Sequence, residues 1–208
     1  MTVTDSPRQL GRPRDPRLDD AITAATLELL ADGGYAGLTM EAVAARAGVG
    51  KATLYRRWAG KEQLVVDALR TMSEQPDPDH ATSVRDELVS LLDALRRKSS
   101  SSLAGKIFPR LIGESADNPE LMRRYREQVL DPRRQRFFTA LRRGIDEGCV
   151  RPDIDLDHAT DLMVGPMAYR NLIRNDPPPG PDLAGRIVDD VLRSLAPHTS
   201  RPAPQETA

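Results

Sequence analysis

The chain has 208 residues, with 30 lysines and arginines against 31 aspartates and glutamates, for a net charge of −1. Hydrophobic residues make up 39% and charged residues 29%, the balance of a soluble globular protein with enough apolar matter for one or two domains. No apolar run approaches the ~20 residues needed to cross a bilayer. The N-terminus lacks the apolar stretch of a secretory signal, and the single cysteine, Cys149, excludes an internal disulfide, so a cytoplasmic protein is expected.

Residues 1–15 read as a flexible basic arm. Its Gly11-Arg12-Pro13-Arg14 resembles the minor-groove-reading core of an AT-hook, with Arg12 and Arg14 as candidate DNA contacts. The alternative is a solvated tail that adds only salt-dependent attraction. Asp15-Pro16 then reads as a helix N-cap with proline at the first helical position. Leu18, Ile22, Ala25 and Leu29 place one apolar stripe on a first helix ending near Asp32, with Gly33-Gly34 as its stop. Tyr35 and Leu38 are expected to pack back on the core.

Residues 39–58 carry the most informative pattern. Thr39 is a good N-cap, and Glu41 suits the positive end of the helix that follows. Gly48 ends that helix by entering the left-handed region, and Val49 can plug the turn. A second helix runs from about Lys51 to Trp58. At ~100° per residue, Leu54 and Trp58 point inward, and Ala52 and Arg56 lie on the opposite face. From Arg46 to Lys61 the charged residues are Arg46, Lys51, Arg56, Arg57 and Lys61, with no acid among them. This is the pattern of a helix-turn-helix whose second helix enters the major groove.

Ala47-Gly48-Val49 followed by Thr53-Leu54-Tyr55, together with Thr39, Val43, Ala44, Trp58, Lys61 and Leu64, resembles the TetR family of transcriptional regulators. The match covers roughly the first third of the chain. Groove-facing candidates are Gly50, Lys51, Ala52, Tyr55 and Arg56. Candidates for holding phosphates are Thr39, Arg46, Thr53, Arg57 and Lys61.

Gly60 opens a fourth helix to about Gln75, with Leu64, Val65, Ala68, Leu69 and Met72 apolar. The resemblance implies that this helix links the DNA-binding head to the body. Pro76-Asp77-Pro78 marks a boundary, giving a head over 16–76 and an all-helical body over 77–196. In the body, helices are expected at about 83–98, 103–116, 119–147, 156–175 and 182–195. The fold class is therefore all-α, with about nine helices in all. Ser99 to Ser102 reads as a loop. Pro109 is expected only in a first turn, Pro132 should kink the long seventh helix, and Gly165-Pro166 interrupts the eighth. Residues 197–208 read as a disordered tail.

The resemblance further implies a body pocket for a small-molecule effector and a homodimer formed through the last two helices. Leu91, Leu95, Ile107, Phe108, Leu111, Ile112, Tyr125, Met163, Met167 and Tyr169 are candidate lining, or else ordinary core. Arg170 would pair with an anionic effector or with a carboxylate across an interface. An enzyme, a metal site or a cofactor is not expected. His80, His158 and His198 are scattered, Asp153, Asp155 and Asp157 lack the rest of a calcium loop, and no glycine-rich phosphate loop occurs. The implied function is a DNA-binding regulator, most simply a repressor released by its effector. An activator, or a small-molecule-binding protein with a vestigial head, is the alternative.

Overall fold

A computed structural model describes residues 16–73, 82–99, 102–174 and 180–197. Arg12, Arg14, the proline break after Gln75 and nearly all of the C-terminal tail lie outside the described residues. Among those described there are helices and turns and no strand.

The N-terminal helices are α1 (Pro16–Gly37), α2 (Met40–Arg46), α3 (Lys51–Tyr55) and α4 (Lys61–Thr71). The axis of α1 breaks at Gly34, with φ 68° and ψ −175°, so the expected stop is a sharp turn after which the chain coils on to Gly37. That turn brings Tyr35 and Leu38 into the core. Thr39 caps α2 by accepting the Ala42 amide at 3.1 Å. Gly48, at φ 67°, turns the chain toward α3. Leu54 and Trp58 are buried beneath α3, and the Trp58 indole donates to Asp67 of α4 at 2.9 Å. Helix α3 is thereby fastened to α4 from below.

The body comprises α5 (Val84–Ser99), α6 (Ser102–Gly113), α7 (Pro119–Tyr125), α8 (Asp131–Asp146), α9 (Leu156–Tyr169) and α10 (Asp182–Leu195). The long helix expected at 119–147 is divided into α7 and α8 by a π turn, Arg126–Leu130, rather than simply kinked. The Asp131 amide reaches back to the Arg126 carbonyl, five residues away, so the wider turn absorbs the misfit at Pro132. Helix α9 runs through Gly165-Pro166 without stopping and widens afterwards, in a second π turn at Arg170–Arg174. Pro109 lies in the interior of α6 and not in its first turn. Proline has no amide to donate to the Gly105 carbonyl, and the Arg110 side chain donates to the next carbonyl, that of Lys106, at 3.2 Å.

Two apolar cores form, and their division does not follow the proline break. The first joins α1–α4 to Ile107 and Leu111 of α6, Leu121 and Tyr125 of α7, and Val129. The second joins Leu88 and Leu92 of α5, Leu141 of α8, Met163 of α9 and Val188 of α10. Gly144 packs closely against the second core, since a methyl there would lie 2.8 Å from Val150 and 3.3 Å from Val84. Gly144→Ala should therefore cost about 1–3 kcal/mol of stability, read as a lower melting temperature. An unchanged melt would mean that Val150 moves aside freely.

Candidate DNA-reading surface and effector cavity

The α2–turn–α3 unit presents its outer face to solvent. Lys51, Ala52, Tyr55 and Arg56 are exposed, Tyr55 by 50%, and Thr53 is half-buried. Gly50 is the N-cap of α3 and leaves the helix start without side-chain bulk. The Tyr55 ring lies half in water on the face opposite Leu54, outside the core.

The basic residues of this segment are not electrostatically alone. Acids from elsewhere in the chain meet them. Arg46 pairs with Glu28 of α1 at 3.0 Å, and Lys51 with Glu41 of α2 at 3.2 Å. Arg57 is mostly buried and paired with Asp19 of α1. A backbone hydrogen bond at the start of α2, then Lys51, holds the exposed Glu41 carboxyl below its usual range. Among the described residues, Arg56 makes no ion pair, so its guanidinium stands ready for an outside acceptor.

Lys61 points inward. Its ammonium donates to the Tyr35 carbonyl at 3.2 Å and the Leu38 carbonyl at 3.5 Å, and sits 4.1 Å from the centre of the Tyr35 ring. It thus ties the first turn of α4 to the corner between α1 and α2. On the same corner the Tyr35 hydroxyl donates to Glu62 at 2.7 Å. That bond lowers the Glu62 pKa, while burial, reinforced by Glu62, raises that of Tyr35. Thr39 is an N-cap whose hydroxyl oxygen is already engaged.

A second feature lies between the two cores. A cavity of about 160 Å³ is lined by Leu95, Phe108, Ile112, Tyr125, Leu130, Val164, Met167, Ala168 and Leu172, with Arg133 and Asn171 as polar members. Leu95, Phe108, Ile112, Tyr125 and Met167 are the lining that sequence reasoning anticipated. Leu91, Ile107, Leu111 and Met163 are instead buried in the cores, Tyr169 faces solvent, and Arg170 begins the second π turn outside the lining. Leu130, Val164, Leu172 and the polar pair Arg133 and Asn171 were not foreseen. Leu130 belongs to one π turn and Asn171 and Leu172 to the other, and a 3.6-residue period does not describe such turns. Pro132 was the available signal for the first.

The matches to known proteins bear on the same two regions. Residues 22–68 match a family described as bacterial regulatory proteins, tetR family, and residues 77–191 match the tetracyclin repressor-like C-terminal domain. An uncharacterised HTH-type transcriptional regulator, YdeS of Bacillus subtilis, is 34% identical over 168 residues, spanning 80% of this chain and 84% of its own. A DNA-binding transcriptional repressor, TetR of Mycobacteroides abscessus, is 30% identical over 177 residues, 84% of this chain and 92% of its own. The crystal structure of the regulator FadR from Bacillus subtilis in complex with stearoyl-CoA shares the fold at a TM-score of 0.67 and 19% identity, covering 85% of this chain and 97% of that one.

The Tyr35–Glu62 bond sets a pH window. Glu62, with a lowered folded pKa, contributes stability above its ordinary value near ~4.5 that is lost as pH falls through the folded value. Tyr35, raised, contributes below ~10 and loses it at higher pH. Glu62→Gln should thus cost up to about 1 kcal/mol at neutral pH, a cost that shrinks as the pH falls through the lowered folded value of Glu62, measured by chemical unfolding. A cost independent of pH would show that the charge of Glu62 is irrelevant.

Proposed function

Since the chain belongs to the TetR family of bacterial regulatory proteins, we propose that it is a dimeric repressor in which α3 reads its operator and the cavity takes the effector. It is a sequence-specific DNA-binding transcriptional regulator, and the family's members bind operator DNA and small-molecule effectors and act as dimers. The observation that carries the reading of the head is the exposed Tyr55 and Arg56 on a helix whose opposite face is locked to α4 through Trp58. A groove-reading element must be rigid behind and uncommitted in front.

Within that surface the roles divide by what each residue already holds. Arg56 and Tyr55, with no ion pair to give up among the described residues, are the base-reading candidates. Lys51 and Arg46 must exchange a surface carboxylate for a phosphate, a cheap exchange because exposed pairs are worth little. Arg57 and Lys61 support the reader from within. Thr39 and Thr53 remain candidates for phosphate contact at the edges of the motif.

The dimer interface is proposed on the outer face of α9. Leu162 and Tyr169, 41 and 55% exposed, fall at i and i+7 on one face of α9, and Ile173 in the π turn that follows is 72% exposed. Helix α10 buries Leu183, Ile187, Val188, Val191 and Leu195 inside its own chain and shows solvent mainly Arg186, Asp190 and Arg193. Leu162, Tyr169 and Ile173 would form the centre of the contact and the charges of α10 its rim.

Arg56→Ala should reduce discrimination between operator and random DNA by roughly 5- to 150-fold (about 1–3 kcal/mol), while Arg57→Ala lowers the melting temperature and leaves discrimination intact. Equal losses by Arg56→Ala on both DNAs would remove its base-reading role. Separately, Ile173→Glu should yield a monomer by sedimentation at micromolar concentration. A dimer that persists in that variant would place the interface elsewhere.

A further inference from the structure

The chemical class of the effector is written in the one charged residue of the cavity wall. This inference rests on the cavity being the effector site, and adds what enters it. Apart from Arg133, Asn171 and the Tyr125 hydroxyl, the lining is aliphatic or aromatic. At about 160 Å³ the space suits a benzene-sized or medium-length acyl group, since an apolar void of this size binds benzene.

Arg133 is the anomaly. One of its terminal nitrogens donates to the Ser73 hydroxyl at 2.5 Å, the guanidinium also hydrogen-bonds the Tyr125 hydroxyl, and its Nε is buried without a hydrogen-bond partner. No carboxylate among the described residues pairs with it. Its neighbour Arg134 shows the contrast, bonded to Asp157 at 2.7 Å and Asp161 at 2.6 Å on the outer side of the same helix. A guanidinium in the wall of an apolar space, with only the neutral hydroxyls of Ser73 and Tyr125 as partners, is costly until an anion arrives. Beside it, burial pushes the Tyr125 hydroxyl up to about 12, so that group stays protonated and can donate as well.

We propose that the cavity binds a small amphipathic monoanion, a carboxylate carried on an aryl or medium acyl group, with its charge on the Arg133 guanidinium. One guanidinium and one hydroxyl, with the Asn171 amide on the same wall, match a singly charged planar head, which a guanidinium receives through two parallel bonds. The apolar remainder lies against Phe108, Ile112, Leu130 and Met167. Binding is felt at the head because Ser73, two residues past the end of α4, is one of the partners that hold Arg133. A ligand that redirects the guanidinium changes what holds that end.

The test is calorimetric titration of the full chain at neutral pH with octanoate and phenylacetate, against 1-octanol, 2-phenylethanol and octylamine. The carboxylates should bind at least about tenfold tighter than the matched alcohols, the amine weakest. In Arg133→Met the preference should vanish while alcohol binding persists, and Arg133→Lys should keep part of it. Alcohols binding as well as carboxylates, a preference that survives Arg133→Met, or no carboxylate binding at all would each overturn the proposal. If Arg133→Met does not fold, the wild-type series decides alone. Operator binding is measured alongside. Release of operator by a neutral compound would leave the ligand-responsive repressor standing and remove only this inference.

Discussion

The head of this protein cannot complete its own core. Helices α1 and α4 bury Leu27, Leu30, Leu64 and Val65, but part of the cover over them is supplied by Ile107, Leu111, Leu121, Tyr125 and Val129, which lie far along the chain. A four-helix unit of this size has too little interior to be firm alone, because small domains bury a smaller share of their surface. Borrowing α6 and α7 solves that problem and creates a second property. Helix α3, α4 and the wall of the cavity all touch one close-packed interior, and such interiors transmit displacement rather than absorb it. Tyr125 belongs to both, as a member of the head's core and a wall of the cavity.

Electrostatics refine the reader in the same way. The run from Arg46 to Lys61 is free of acids in sequence, yet in space Asp19, Glu28 and Glu41 return three carboxylates to it. The effect is to sort cations by task. Arg57 and Lys61 are consumed in holding α1, α2 and α4 together, whereas Arg56 is left to the outside. A surface sorted this way is less sticky toward any polyanion than the raw count of charges suggests. On the proposed reading, discrimination between sites would rest on a few side chains.

Much of this was legible from residues with local meaning. Thr39, Gly48, Leu54 and Trp58 announce the caps, the turn and the inward face of the motif, because capping and helical period act within a few residues. The apolar faces of the helices in the body were equally readable. What was not legible is non-local. Nothing near Lys61 in sequence announces the carbonyls of Tyr35 and Leu38, and nothing near Arg57 announces Asp19. The π turns escaped because Pro132 and Pro166 signal a disturbance without its form: a kink, a stop and a widened turn all answer the same missing amide. The cavity followed from those turns, so Arg133, foreseen as nothing in particular, proved to be its one charge, while Arg170, the conspicuous cation of the sequence, lies outside it.

The most direct measurement is equilibrium binding of the purified protein to its own upstream DNA and to random DNA, each at low and at physiological salt. A sequence-reading head predicts tight binding to the upstream fragment that added salt weakens less than it weakens random binding, because base contacts release no counterions. Equal affinities for both fragments, falling together with salt, would contradict it and mean that only phosphates are being held.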